Sequence, residues 1–327
     1  MKARPPSGRR NSNNMGSTEE SQLADAVLMI RPARFHSNPL TAASNRFQGK
    51  TDLSEAAQQR AALAEFAALE SALEDAGVQV IAVDDSDEPP TPDAIFPNNW
   101  VTFHADGSAV LYPMEAVNRR SERRPEIIDR LSAEHGFQVT RVVDLSAHER
   151  NGHYLEGTGS LVLDRVNRIA YACLSSRTHL DPLGDFAQQL DYDLIAFDAV
   201  DRHGVPIYHT NVLMSIGEEL ALICSEALPR EEQRRAVLDS LAATGHRVIT
   251  LSHGQLEAFA GNMLELRNAA GERLLAMSRQ AHDSLSAEQL AVIEAGARIV
   301  SVPLDRIEAS AGGSVRCMLA EIHLPRQ

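Results

Sequence analysis

Cysteine is scarce, with only Cys173, Cys224 and Cys317 among 327 residues. Three distant thiols make neither a disulfide framework nor a paired metal-ligand spacing, so no metal and no cofactor are expected. Long hydrophobic runs are missing too. No apolar stretch approaches the roughly 20 residues that cross a bilayer, and none follows the basic N-terminus as in a signal peptide. Positive charge is short: 31 Lys+Arg face 45 Asp+Glu, a formal net charge of -14. Such a chain repels phosphate backbones, which argues against a nucleic-acid partner. These absences predict a soluble protein of the reducing cytoplasm whose partner is a small molecule, with assembly into a homodimer left open.

What is present is ordinary globular material. Hydrophobic residues are 43% and charged residues 23% of the chain, which excludes wholesale disorder. Residues 1–22 are rich in Arg, Pro, Ser and Asn and read as a disordered tail, with Met15 an internal candidate start. Beyond them no Pro/Gly/Ser-rich linker divides the sequence, so residues 23–327 are expected to form a single domain.

Inside that domain a cycle recurs. Helical apolar spacing appears over about 53–76, 119–135, 182–191, 230–243 and 286–296. The first of these opens at Asp52 with Glu55 three residues on, a capping-box pattern, and stops before Gly77. A β-type run follows each helix: Val78–Val83, Phe137–Val143, Asp193–Phe197, Arg247–Leu251 and Arg298–Val302. Each run leads to a polar loop with Gly or Pro, and four of the loops open into hairpin-like pairs of apolar runs. These are Trp100–Phe103 with Ala109–Tyr112, Leu161–Leu163 with Ile169–Cys173, Val212–Ile216 with Leu220–Cys224, and Met263–Leu266 with Leu274–Met277. The fifth loop ends in Met318–Ile322, which can pair with Ala26–Ile30 and close a ring. A repeat of roughly 50–65 residues points to a closed, toroidal α/β architecture with its equivalent loops gathered at one end of the axis.

The loops carry unequal chemistry. They contain Asp93, Asn98 and Asn99; Glu156-Gly157; His209 and Asn211; Gly261-Asn262; and Gly312-Gly313-Ser314-Val315-Arg316-Cys317. A thiol, an imidazole, carboxylates and amides are the parts for covalent thiol catalysis. Each part also has a bland alternative. Cys317 before an apolar run can be a buried core thiol, although the two glycines allow close backbone approach and Arg316 can favour a thiolate. Cys173 and Cys224, inside apolar runs, read as core. Asn98-Asn99 can be turn formers, and the Arg119–Arg124 cluster a solvated helix start.

The motifs Pro92-Asp93-x-x-Phe96, Arg119-Arg120-x-Glu122, Leu155-Glu156-Gly157, Leu174–Thr178, Tyr208-His209 and Gly312-Gly313-x-x-Arg316-Cys317-Met318 occur in one order. In this the sequence resembles the guanidino-group modifying enzymes: arginine deiminases, dimethylarginine hydrolases, amidinotransferases and dihydrolases. The resemblance covers residues 24–327 and implies a five-bladed, pseudo-symmetric α/β propeller. It implies Cys317 as nucleophile, His209 as general acid and base, and Glu156 as the carboxylate binding substrate nitrogens or holding His209. Arg177 matches the family's grip on a substrate α-carboxylate, and Arg119 or Arg120 a second one, while Asp93, Asn98, Asn99 and Asn211 line the substrate.

Two positions depart from the deiminase pattern, where Asn99 and Asn211 stand in place of aspartates. Losing about two charges weakens the hold on a guanidinium cation, since charge-assisted hydrogen bonds are worth roughly 1.5–3 kcal/mol against about 1 for neutral ones. An amide offers a donor and an acceptor, which suits a neutral ureido group. The expectation is therefore hydrolysis of citrulline to ornithine, ammonia and CO2. The alternatives are an arginine or N-acylarginine dihydrolase, an arginine deiminase or an amidinotransferase.

Overall fold

The computed structural model describes residues 20–42, 44–49 and 53–327. The elements run β1 Ala26–Arg31, α1 Glu55–Asp75, β2 Gln79–Asp84, β3 Val101–Phe103, β4 Ser108–Leu111, α2 Pro125–His135 and β5 Arg141–Asp144. Next come α3 Gly157–Ser160, β6 Val162–Asp164, β7 Ile169–Cys173, α4 Leu180–Leu190 and β8 Asp193–Phe197. They are followed by β9 Met214–Ile216, β10 Leu220–Ile223, α5 Glu231–Ala243, β11 Arg247–Thr250, α6 His253–Glu257, β12 Leu264–Arg267 and β13 Arg273–Ser278. The chain ends with α7 Arg279–Ser284, α8 Ala287–Glu294, β14 Arg298–Val302, α9 Asp305–Ala311, α10 Val315–Met318 and β15 Ala320–Glu321.

Among the described residues these strands form five three-stranded sheets, each with the same wiring. A short inner strand pairs antiparallel with a middle strand, which pairs parallel with an outer one reached through a helical crossover. Inner strands of neighbouring blades lie against each other, β15 on β3, β6 on β9 and β9 on β12. The five-bladed α/β propeller is thus present. Its first blade is closed by the far end of the chain, with Val27 opposite Glu321 and Leu28 opposite Ala320 in β1 and β15.

Helices cover the outer faces because their apolar residues fall on one side. In α1 the buried Ala62, Phe66, Leu69 and Leu73 are spaced four, three and four, and they pack into a core with Met29, Leu304 and Ile307. No helix among the described residues is long and apolar enough to cross a membrane.

Several expected boundaries shift for identifiable reasons. Helix α1 is capped by Ser54, whose side chain accepts from the Ala57 amide, rather than opening at Asp52, which lies outside the described residues. The stretch 119–135 is two elements, a 3-10 turn Val117–Glu122 and then α2, because Pro125 at the first helical position ends what precedes it. The strand expected from Phe137 pairs only from Arg141; Phe137 instead makes an isolated bridge with Arg326. The proposed tail 1–22 lies outside the described residues up to 19. Its last part does not: Glu20 contacts Arg165 at 2.8 Å and Gln22 is buried.

Candidate active site

Every loop that leads into an inner strand ends beside the axis, most of them in one short helical turn. The turn Pro97–Asn99 carries Asn98 and Asn99 into blade two, and Glu156 caps α3 before β6. His209 caps the turn Thr210–Val212 before β9, Asn262 precedes β12, and Cys317 sits within α10 before β15. Turn 97–99 touches both α3 and α10, and α3 touches the turn after His209. Glycine makes this crowding feasible. A Cβ on Gly157, whose φ is +45°, would lie 2.2 Å from the Asn98 carbonyl oxygen. One on Gly159 would lie 2.5 Å from Asn99 Nδ2 and 2.7 Å from His209 Nδ1.

Glu156 is the electrostatic centre. Its Oε2 lies 2.9 Å from His209 Nε2, 3.4 Å from Arg177 Nη1 and 3.7 Å from Arg119 Nη1, while Oε1 accepts from the Glu115 amide at 3.0 Å. Burial alone would raise its carboxyl, but Arg177, then His209 and Arg119, outweigh it and hold the group well below the usual carboxylate range. Burial pushes His209 down to about 4 against the pull of Glu156, so the imidazole is neutral at pH 7. With Nε2 on the carboxylate, Nδ1 is the nitrogen left to exchange protons.

The thiol meets amides. Asn211 Nδ2 donates to Cys317 Sγ at 3.5 Å and Asn262 Nδ2 at 3.3 Å, the latter also donating to the Asn211 carbonyl at 3.0 Å. The carbonyl oxygens of both amide side chains are buried without a hydrogen-bond partner among the described residues. Tyr208 packs its ring 4.7 Å from that of His209 and donates to the Gly312 carbonyl at 2.7 Å, tying the histidine loop to the cysteine loop. Arg316 does not face the sulfur: its guanidinium binds the Leu319 carbonyl at 2.9 Å and Glu321 at 2.5 Å.

The arginines divide sharply. Arg119 is buried and holds Glu122 through two bonds at 2.9 and 2.8 Å, Asn99 Oδ1 at 2.8 Å, and lies 3.7 Å from Asp93. Burial pushes Glu122 up to about 8 despite Arg119. Arg177 stacks 4.8 Å over the Tyr208 ring and binds Ser44 Oγ at 2.8 Å. Its Nε reaches the half-buried Glu115 at 3.3 Å. Arg120 turns away, to the Met114 carbonyl and Glu149 at 3.2 and 3.3 Å. Asp93 accepts from Asn38 at 2.8 Å, and Asn98 lies against Thr158 and Asn99 at 3.3 and 3.0 Å. Cys173 and Cys224 are core residues, as their apolar runs indicated.

Of the expected residues, all but Arg120 therefore fall into two adjoining groups, a charged one around Glu156 and Arg119 and a thiol–amide one around Cys317, tied together by Tyr208. Asn38 and Ser44 join them without having been singled out, and Asn262 and Glu122, named only as loop or motif residues, join without an assigned role. Glycine before Asn262 was the one available signal, because a Cβ on Gly261 would lie 2.3 Å from the Val212 carbonyl oxygen.

A family model described as N,N dimethylarginine dimethylhydrolase, eukaryotic, matches residues 31–324. The chain belongs to this family. That family lies within the guanidino-group modifying superfamily, and its dimethylhydrolases are hydrolases acting on C–N bonds. No curated protein sequence matches it. Solved structures of this fold include ArgZ, an arginine dihydrolase from the ornithine-ammonia cycle in cyanobacteria. It is 18% identical with a TM-score of 0.70 over 92% of this chain and 41% of that one, so the chain spans about two-fifths of the full-length relative. The N-terminal domain of ArgZ bound to substrate aligns over 91% of this chain and 97% of its own length, at TM-score 0.69 and 18% identity. A dimethylarginine dimethylaminohydrolase adduct with S-methyl-L-thiocitrulline aligns over 91% of this chain and 100% of that one, at TM-score 0.63 and 16% identity.

Proposed function

We propose that this protein is a cysteine-dependent ureidohydrolase that converts citrulline to ornithine, ammonia and CO2. The observation that carries the reading is the pair of amides on the sulfur. The reacting end offers Asn211 and Asn262, each with a donor on Cys317 and an unpartnered carbonyl oxygen, where a cation-binding site needs free carboxylates. The carboxylates nearby are already answered, Glu156 by His209, Arg177 and Arg119, and Asp93 by Arg119 and Asn38. A neutral ureido NH2 satisfies the two carbonyl oxygens without adding charge.

Cys317 attacks the ureido carbon and passes its proton to neutral His209, forming an imidazolium that Glu156 stabilises. The C–N bond to the side-chain nitrogen breaks as His209 protonates the leaving amine, which departs as ornithine. The carbamoyl-thioester left on Cys317 is hydrolysed by a water that His209 deprotonates, and the thiol regains its proton. The released carbamate falls to ammonia and CO2. Arg177 takes the substrate α-carboxylate in exchange for Glu115, and Arg119 with Asn99 holds the floor of the site.

An arginine dihydrolase is the second reading. The two unpartnered carbonyl oxygens also accept N–H from a guanidinium, and Asp93 and Glu156, both contacting Arg119, add negative charge to the same group of loops. The test is a panel of citrulline, arginine, dimethylarginine and succinylarginine scored for ammonia and for the amine product. Citrulline turned over fastest supports the proposal, and arginine turned over far faster than citrulline removes it. Cys317→Ala must abolish turnover with folding intact, and retained activity removes the covalent route.

A further inference from the structure

The catalytic residues precede or open the inner strands; a second polar cluster follows them. Arg165 comes directly after β6, Glu321 ends β15, and the carbonyls of Phe103 and Ile216 end β3 and β9. An inner strand of three residues spans about 10 Å, so this cluster lies one strand length behind the nucleophile. Into it comes the segment Glu20–Gln22. Glu20 binds Arg165 Nη1 at 2.8 Å and Arg168 at 2.5 Å. Gln22 Nε2 donates to the carbonyls of Leu163 and Ile216 at 3.0 and 3.3 Å, and its Oε1 accepts from the Arg165 amide at 2.8 Å.

A buried chain of charges connects this segment to the active site. Arg165 Nη2 stands 3.7 Å from Glu321 Oε2, and Arg316 Nη2 stands 2.5 Å from the same oxygen. Arg316 adjoins Cys317 and braces α10 through the Leu319 carbonyl. Arg165 Nη2 has no hydrogen-bond partner among the described residues. The two guanidiniums therefore compete for one carboxylate oxygen, and Glu20 decides the contest by occupying Arg165.

We infer that Glu20 is a positioning residue for the nucleophile, acting through Arg165, Glu321 and Arg316 from the opposite end of the propeller axis. The inference rests on Cys317 being the nucleophile. With the charge on residue 20 removed, Arg165 is drawn to Glu321, the bond from Arg316 lengthens, and α10 loses its brace. The substrate-binding residues are untouched.

The test is Glu20→Gln in the full chain, with kcat and KM for the best substrate of the panel and the rate of iodoacetamide labelling at Cys317 followed by peptide mass. The expected result is a kcat lowered about ten-fold, KM within two-fold of wild type, and a labelling rate lowered in step. Adding Arg165→Met, which removes the competitor, should restore kcat and labelling. If Glu20→Gln lowers only the melting temperature, with kcat and labelling per folded molecule as in wild type, the inference falls. It also falls if the double variant is no better than the single. A Cys317→Ala protein that keeps its activity removes the nucleophile assignment instead, so the two failures are distinguishable.

Discussion

Replacing Asn211 by aspartate exchanges a donor to the sulfur for a negative charge at the same place. In the protein the Asn211 amide nitrogen lies 3.5 Å from Cys317 Sγ. At an effective dielectric of about 20, two unit charges 3.5 Å apart interact by about 5 kcal/mol. The thiolate of Asn211→Asp is therefore disfavoured by about that amount relative to the wild-type protein. Citrulline, being neutral, brings nothing to offset the repulsion. Arginine brings a cation to the same spot and recovers part of it. The variant is expected to lose about 100-fold or more in kcat/KM for citrulline while the arginine-to-citrulline ratio rises at least about ten-fold, the latter matching 1.4 kcal/mol of recovered attraction. The assays are steady-state kinetics on both substrates and the pH profile of iodoacetamide labelling at Cys317. An unmoved labelling profile, or a parallel loss on both substrates, refutes the reasoning. Combined with Asn99→Asp the preference should move further toward arginine, because one more negative charge enters the site and Arg119, already shared with Glu122, offsets only part of it.

Gly159→Ala places a methyl 2.5 Å from Asn99 Nδ2 and 2.7 Å from His209 Nδ1, so the imidazole must move. A displacement of that order costs about 100-fold in kcat, and a variant with wild-type kcat shows that His209 is not poised as described. Arg177→Lys keeps the charge beside Glu156 but loses the planar fork, and KM for amino-acid substrates should rise about ten-fold with stability nearly unchanged. An unchanged KM puts the carboxylate grip elsewhere. For His209 the folded value, about 4, lies below the usual imidazole value because of burial, so the unfolded chain binds a proton that the folded one refuses. Stability is then lost as pH falls from about 6.5 to about 4, by about 3 kcal/mol from this group. Urea unfolding at pH 7 and pH 4 should show a smaller difference for His209→Gln than for wild type; equal differences mean that the imidazole is charged in the folded state.

The cycle of elements was legible because each blade repeats one amphipathic helix and one hairpin, so the two periodicities alternate along the chain. Asp193–Phe197 and Arg298–Val302 were read without error, both being short, mainly apolar runs entered from a helix. The run from Phe137 misled because Gln138 and Phe137 bind the segment around Pro325 and Arg326 instead of a strand of their own blade. Helix α9 was missed since Asp305–Ala311 has too few apolar residues for a visible stripe. Arg119 and Arg120 are adjacent and alike in sequence, and only the fold decides that one is buried against Glu122 and the other turned to Glu149. Asn262 illustrates a different limit. A lone amide after glycine has no local signature of chemistry, and its meaning comes from a sulfur 55 residues away.

The pairing of β15 with β1 has a consequence for the order in which the protein is made. The strand that seals blade one and the thiol just before it follow all four other blades in the chain. On the ribosome, a nascent chain can dock blade upon blade with its histidine and glutamate already emerged, yet it holds no sulfur at their meeting point. The candidate nucleophile arrives with the same few residues that lock the ring, so a prematurely terminated product is open and also lacks Cys317.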